Sequence, residues 1–200
     1  RELDQNLLKS KTWINKKLKY THGYGLVMSP VNRVSPEGQP EFLIKDIPPK
    51  VNVDIKLDNS SIYYGEKTND YVITNSLSKE LHYGKGSENV YKNYAGTGGI
   101  QLQNLFTKVL YSLRFSNLKF LLADSITTES RLMYYRNIKE RVRKVAPYLK
   151  YDQDPYLVVA DGKLYWIQDA YTTSNRYPYS QPMRTVGNYI RNSIKIVIDA

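Results

Sequence analysis

The apolar positions of the N-terminal quarter, residues 1–50, predict a short helix followed by a loop region. Within 3–20 the apolar side chains recur at spacings of about three, four and seven, as on one face of a helix. These residues are Leu3, Leu7, Leu8, Trp13, Ile14 and Leu18. From 20 to 49 glycine and proline recur, so regular structure should be brief there. The expected anchors of the loop region are Tyr20, Tyr24, Phe42 and Ile44.

Alternating apolar and polar positions indicate strands in the second quarter, residues 51–100. Val51, Val53, Ile55 and Leu57 alternate with polar residues, which is the period of a strand with one buried face. Further short apolar runs follow at 62–64, 71–73 and 81–83. We therefore predict an antiparallel β meander, and a glycine-rich loop from 84 to 99.

A helical period returns in the third quarter, residues 101–149. The apolar stripe of the first predicted helix and its continuation comprise Leu105, Phe106, Val109, Leu110, Leu113, Leu118, Leu121 and Leu122. A second helix is predicted from about 127 to Val145, because Pro147 cannot continue it. We expect both helices to pack their apolar faces against the core.

The last quarter, residues 150–200, returns to strands. Asp161-Gly162 separates apolar runs at 156–159 and 164–167, and glycine tolerates the positive φ of a tight hairpin turn. A hairpin is therefore predicted, with a last strand at 189–198. The whole pattern predicts a single soluble α+β fragment, in which an antiparallel meander and a C-terminal hairpin pack with two or three helices.

Composition adds a strong positive charge. Twenty-nine Lys and Arg against 19 Asp and Glu give a formal charge of +10, and 19 residues are Tyr. Such an excess attracts anionic envelope polymers, lipid headgroups or nucleic acid, although a solvated basic surface is the simpler interpretation. The absence of cysteine excludes disulfides and thiolate sites. No apolar run approaches the roughly 18 residues of a membrane span, and both ends read as cuts in a longer protein.

Candidate chemistry is sparse, and we identify no catalytic set, metal site or cofactor motif. The glycine cluster at 94–100 precedes a helix but lacks the Gly-Lys-Ser/Thr ending of a phosphate-binding loop, so a turn is favoured. The candidate residues for a cleft or ligand contact are His22, Tyr24, Asp152, Asp154, Asp169 and Tyr171. For the carboxylates, the alternative is a structural role at turns and strand ends.

The second predicted helix carries the densest positive charge. Arg136, Lys139, Arg143 and Lys144 lie opposite its apolar face and are candidates for anion binding. A solvated helix face would also account for them. Binding to nucleic acid would need a recognised module or an aromatic platform, neither of which the sequence contains, so we do not expect it.

Several strings along the chain resemble one known family. They are TWIN at 12–15, YTHGYG at 20–25, SPVN at 29–32, KDIPP at 45–49, IYYGE at 62–66, RNI at 136–138, ERVRKVAP at 140–147, DAYTTS at 169–174 and YPYS at 177–180. These resemble uncharacterised protein family 0182, bacterial multi-pass membrane proteins with a large soluble region. The resemblance implies a fragment of that region, on the extracytoplasmic side of the cell membrane. It brings no reaction, cofactor or catalytic residue.

Three hypotheses about function follow. The first is a non-enzymatic extracytoplasmic module that binds a cell-envelope polymer, lipid headgroups or a partner protein, as the charge and the tyrosines suggest. The second is an envelope-acting enzyme, which requires the candidate residues to converge around a cleft. The third is a structural part of a membrane transport machine, whose partner is the transmembrane part of its own full-length chain.

Overall fold

The computed structural model describes Glu2, Leu8 and residues 10–200 of the chain. Within the N-terminal helix predicted over 3–20, the structure shows a π-helical segment, Asn15–Lys19. Its Leu18 is fully buried. Leu3 and Leu7, which belong to the same predicted helix, lie outside the described residues.

Strands and helices occur mostly in separate runs along the chain, which confirms the α+β class. The strands are β1 (Gly23–Tyr24), β2 (Ile44–Lys45), β3 (Lys50–Val51), β4 (Ser61–Ile62), β5 (Val72–Thr74), β6 (Leu81–Lys85), β7 (Glu88–Tyr91), β8 (Ile100–Gln101), β9 (Arg131–Met133), β10 (Lys150–Tyr151), β11 (Tyr156–Ala160), β12 (Lys163–Ser174) and β13 (Tyr189–Asp199). The α-helices are α1 (Leu105–Arg114), α2 (Lys119–Leu122) and α3 (Ile138–Val145). Among the described residues, no helix has the length and apolar character needed to cross a membrane.

A three-stranded antiparallel sheet organises the main core. β9 lies in its centre, between β5 and β8. Apolar side chains from this sheet and from the helices around it form one buried cluster. Its members are Leu18, Ile73, Leu102, Phe120, Ile126 and Leu132. Residues distant in sequence therefore share one core, and β9 joins the second quarter of the chain to the third.

The C-terminal strands form a second, four-stranded antiparallel sheet. The predicted hairpin is present: β11 and β12 meet at a turn where Asp161 and Gly162 have φ of 49° and 75°. Asp58 packs against Gly162, and its carboxylate would have to move to admit a Cβ there; the positive φ is what favours glycine at this position. The strand expected at 189–198 is observed as β13, which pairs with β12 over most of its length.

Strand pairing within 51–100 differs from a sequential meander. β4 pairs with β1, and β5 pairs with β9. Among the described residues of this region, β6 and β7 are the only two strands that pair with each other. Burial does alternate from Val51 to Leu57, as the pattern indicates. However, the Ile55 amide donates to the Val53 carbonyl two residues back (2.8 Å), and this tight turn interrupts the ladder that a strand needs.

The helical region differs from its prediction in two respects. The helix expected from 127 begins at Ile138, because residues 131–133 form the buried central strand β9 and Tyr135, with φ of 49°, breaks the chain direction. The apolar stripe of α1 was expected to pack on the core, but it faces solvent. Ser112 is the buried residue of α1, and α1 therefore packs through its more polar side.

Candidate functional site

A pocket of about 820 Å³ lies between the segment 59–64, the loop 92–98, α3, the start of β12 and the end of β13. Its lining combines aromatic rings with positive charge. The rings are Tyr63, Tyr64 and Tyr94, and the cations are Lys92, Arg141 and Lys163. Asp199 is the one acidic side chain among the described residues that line it. The pocket therefore favours an anionic ligand that also offers surface to aromatic rings.

The glycines of the loop 92–98 are required by the position of Tyr94. The backbone amide of Gly98 donates a hydrogen bond to the Tyr94 hydroxyl at 3.0 Å. A Cβ on Gly98 would lie 2.8 Å from that hydroxyl oxygen, and a Cβ on Gly96 would overlap the ring itself. Burial raises the pKa of Tyr94, so its hydroxyl stays protonated at neutral pH. The turn favoured for this glycine cluster is thus an ordered wall of the pocket.

Two of the pocket's cations are held by neighbouring side chains. The guanidinium of Arg141 lies 4.5 Å from the centre of the Tyr64 ring, a cation–π contact. The ammonium of Lys92 donates to the side-chain oxygen of Asn59 at 3.1 Å. Lys163, the first residue of β12, is exposed at the rim. The contacts of Arg141 and Lys92 hold both cations at the pocket, and neither contact involves a carboxylate.

A buried polar network lies behind Tyr63, whose ring packs on His22 with centres 4.7 Å apart. His22 Nε2 and His82 Nδ1 are 2.9 Å apart, and His22 Nδ1 lies 2.8 Å from the Thr21 hydroxyl. The Thr21 hydroxyl donates to Glu80 at 2.7 Å. Because that hydroxyl has one proton, it must accept from His22 Nδ1–H, and His22 Nε2 must then accept from His82 Nδ1–H. The chain of donors runs from His82 inward to Glu80.

Burial sets the protonation of this network. It lowers the pKa of His22 to about 3, assisted by His82 and Arg136, and that of His82 to about 4. Both rings are therefore neutral at pH 7. Burial raises the pKa of Glu80, and hydrogen bonds from Asn75 and Thr21 act against that rise. Among the described residues, no three His, Asp or Glu side chains are grouped as metal ligands.

Arg136 belongs to this interior and not to the basic surface expected from the sequence. Its side chain is fully buried, and its guanidinium donates to the carbonyls of Tyr63 (2.7 Å), Thr21 (2.6 Å) and Asp70 (3.3 Å). Burial lowers its pKa to about 10, so it remains charged at neutral pH. Arg136 therefore connects three loop segments that surround the network.

The other three basic candidates do lie together on the outside of α3. Lys139, Arg143 and Lys144 line a shallow depression of about 740 Å³. Lys139 makes a 2.9 Å ion pair with Glu66, which reduces the free positive charge of this surface. This arrangement fits a solvated basic face as well as it fits an anion site.

The remaining candidates separate into two groups. His22 and Tyr24 belong to the region of the buried network, where the Tyr24 ring lies 4.1 Å from the His82 ring. Asp152, Asp169 and Tyr171 lie together on the C-terminal sheet, with the Tyr171 hydroxyl donating to Asp152 at 3.0 Å. None of the six candidates, Asp154 included, is among the described residues that line the 820 Å³ pocket.

The carboxylates of the C-terminal group are engaged in local contacts. Asp169 accepts from Lys195 at 2.6 Å, and Asp152 accepts from the backbone amide of Asp154 at 3.2 Å. Hydrogen bonds from Lys195 and Tyr171 hold the pKa values of Asp169 and Asp152 below their ordinary value. Both groups are thus ionised at neutral pH, and they stabilise a strand edge and a turn.

Sequence reasoning missed the residues that build the pocket and the centre of the network. Glu80 stands in a polar segment with no neighbouring charge pattern that marks a buried carboxylate. The available signal for the pocket was the segment 92–99, which combines a lysine, a tyrosine and three glycines. Arg141 and Lys163 come from other quarters of the chain, and only the fold brings them to that segment.

Comparison with known proteins gives the family of the chain but no activity. The sequence profile of UPF0182, an uncharacterised protein family, matches residues 1–200. The chain is 48% identical over 202 residues to a UPF0182 protein of Pelotomaculum thermopropionicum and 52% identical over 200 residues to one of Clostridium tetani. Each alignment covers 100% of this chain and 22% of the relative, so the chain spans about a fifth of the length of these curated relatives. No solved structure matches it. The chain belongs to the uncharacterised family UPF0182.

Proposed function

We propose that this chain is a non-catalytic binding domain that holds an anionic, hydroxyl-rich polymer of the cell envelope in the 820 Å³ pocket. The observation that carries the proposal is the pocket lining, which sets three basic side chains and three tyrosines against one acidic side chain. The extracytoplasmic position that we propose for the domain is supported by the family resemblance.

The lining supplies the two kinds of contact that such a polymer needs. Lys92, Arg141 and Lys163 provide charge-assisted hydrogen bonds for phosphate or carboxylate groups. Tyrosine rings offer apolar faces to the carbon skeleton of a sugar or polyol, and their hydroxyls bond to its hydroxyls. The volume of about 820 Å³ lies within the range of pockets that hold small molecules or one segment of a polymer.

The two alternative functions receive less support from the geometry. An envelope-acting enzyme requires the candidate residues to converge, whereas His22 and Asp152 belong to different groups and neither is among the residues that line the pocket. No contact among the described residues specifically favours a part of a transport machine.

The proposal is tested by titrating the purified chain with poly(glycerol phosphate), with neutral dextran as the comparison, by isothermal calorimetry. We expect binding of the anionic polymer alone, weakening as salt screens the charges. Lys163→Glu should weaken binding about tenfold or more, because a lost charge-assisted contact is worth about 1.5–3 kcal/mol.

Lys45→Glu is the matched control, since Lys45 is an exposed strand residue outside the pocket and the change in net charge is the same. It should leave the affinity nearly unchanged. Equal weakening by both substitutions would show that the polymer responds to overall charge and would refute binding in the pocket. An absence of binding at low salt would refute it as well.

A further inference from the structure

α1 and α2 carry an exposed apolar face, although α1 is amphipathic and its apolar side would ordinarily be buried. At 100° per residue, the large apolar residues of α1 fall within an arc of about 140°. Large exposed apolar side chains of α1 and of the following segment 118–122, with their exposed fractions, are Leu105 (70%), Phe106 (70%), Leu110 (49%), Leu113 (72%), Leu118 (69%) and Leu122 (76%). We refer to these six residues as the leucine face.

The opposite side of α1 is the side that packs on the protein, which fixes the orientation of the leucine face. Ser112 is buried and donates from its hydroxyl to the Asn117 carbonyl at 3.1 Å. Tyr111 and Phe115 pack against the main core, with the Tyr111 ring 5.8 Å from the Tyr134 ring, and the Lys108 ammonium donates to the Ile126 carbonyl at 2.8 Å. These contacts satisfy the polar groups inside. Rotation of the helix to bury the leucines would break them.

The charge along the leucine-bearing segments is mainly positive. From residue 105 to 124 the sequence contains Lys108, Arg114 and Lys119 against one acidic residue, the exposed Asp124. Arg114 ends α1 and Lys119 begins α2, and both are exposed beside the turn that joins the two leucine-bearing segments. Lysine and arginine extend their charged ends toward headgroups while their stems cover apolar surface.

We propose that the leucine face docks on the surface of an anionic lipid bilayer, with the leucines among the acyl chains and Arg114 and Lys119 at the headgroups. An amphipathic helix with basic residues at the edge of its apolar side binds bilayers by both contributions. A second copy of the chain complements the face less well, because two segments that each carry a net positive charge would repel each other. The proposal rests on the leucine face and not on the 820 Å³ pocket.

The test is co-sedimentation of the chain with vesicles of phosphatidylglycerol and phosphatidylcholine, compared with phosphatidylcholine alone. We expect strong binding to the mixed vesicles and weak binding to the neutral ones. The double variant Leu110→Ser/Leu113→Ser should lower the partition constant about tenfold for each side chain removed. Val27→Ser/Val31→Ser, which changes two exposed apolar residues elsewhere, should leave it unchanged.

A second readout reports depth in the bilayer. Phe106→Trp should add fluorescence that bromine atoms on the acyl chains quench, beyond the quenching seen with the parent chain. Circular dichroism establishes that the variants fold, as expected for substitutions at exposed positions.

Three outcomes would overturn the proposal. One is vesicle binding that the leucine substitutions leave intact. Another is a dimer in solution that the same substitutions dissociate, without vesicle binding, which would assign the face to a second copy. The third is vesicle binding lost on Lys163→Glu and retained on Leu110→Ser/Leu113→Ser, which would assign the anionic headgroups to the pocket.

Discussion

Glu80 is the residue on which the buried network depends. It is fully buried, and it accepts hydrogen bonds from the Thr21 hydroxyl (2.7 Å), the backbone amide of Asn75 (2.8 Å) and the Tyr63 hydroxyl (3.5 Å). A buried carboxylate persists only when such donors replace water. The same donors fix the tautomers of both histidines, since the direction of each hydrogen bond follows from the previous one. Glu80 thus orients His22, which in turn supports Tyr63 at the back of the pocket.

Acid should destabilise the fold through His22. The unfolded chain binds a proton near the ordinary pKa of 6.5, whereas the folded chain resists protonation down to about pH 3. In that window the unfolded state holds more protons, so stability falls as the pH falls, by up to about 1.4 kcal/mol per pH unit. Glu80 acts in the opposite sense, because its raised pKa favours proton uptake by the folded state. Urea unfolding at a series of pH values measures the net change in the free energy of unfolding that the two groups produce together.

Comparison with His22→Gln isolates the contribution of that ring, and the variant should show a shallower decline below pH 6.5. His82→Gln should flatten the decline less, because His82 is only partly buried. An identical slope in the parent chain and in His22→Gln would contradict the neutral, buried state assigned to His22.

At the scale of elements, loops build one wall of the pocket and the interior behind it. The segment 92–98 lines the pocket, and Arg136 binds three backbone carbonyls from separate loops. Loops hold such geometry when side chains satisfy their backbone groups. Tyr94 does this for its own loop, since its hydroxyl accepts from the Gly98 amide.

Gly96→Ala should therefore disturb the pocket more than the fold. The added methyl group overlaps the Tyr94 ring, which must move out of its position against Tyr63. We expect weaker binding of poly(glycerol phosphate), by about tenfold, because one ring contact is worth about 1 kcal/mol and the loop closure is lost as well. Calorimetry measures the affinity, and urea unfolding reports the fold.

Gly84→Ala provides the matched control, because the nearest atom to a Cβ there is 3.9 Å away, an ordinary contact distance. It should bind the polymer with the affinity of the parent chain. Binding by Gly96→Ala at parental affinity would show that Tyr94 does not contact the ligand.

At the scale of the whole molecule, a few buried polar contacts connect the sheets. The indole of Trp166, on β12, donates to the Tyr64 carbonyl at 2.9 Å and so ties the C-terminal sheet to the pocket wall. Trp166 also packs with Ile138 and Val142 of α3. The pocket and the leucine face are built from different elements, so the two proposed binding activities are separable by mutation.

Trp166→Phe should destabilise the chain by about 1–3 kcal/mol, because the Tyr64 carbonyl loses its donor and the smaller ring leaves a void beside α3. Urea unfolding measures the change. Tyr165→Phe, one residue earlier on β12 and only half-buried, should cost less than about 0.5 kcal/mol. Equal effects of the two substitutions would show that the indole contact does not join the sheets.

The sequence by itself determined the α+β class, the hairpin at Asp161-Gly162, the last strand and the family. Each of these depends on local chemistry or on the order of residues. The tight hairpin turn needs residues that adopt positive φ, and a strand is recognised from the alternation of apolar and polar residues along the chain. Tertiary structure alone decided the partners. β9 replaced the start of a predicted helix because Leu132 and Met133 are buried between two other strands.

The same distinction applies to the functional surfaces. A strong apolar period on α1 predicted a buried face, yet the orientation of a helix depends on which side its neighbours satisfy, and Ser112 and Lys108 bind inward. Likewise, the charge of Arg136 is evident in the sequence, but its burial follows from three carbonyls contributed by distant loops. Local patterns record what a segment can bury. Long-range contacts determine what it does bury, because each polar group must find a partner that the neighbouring sequence does not contain.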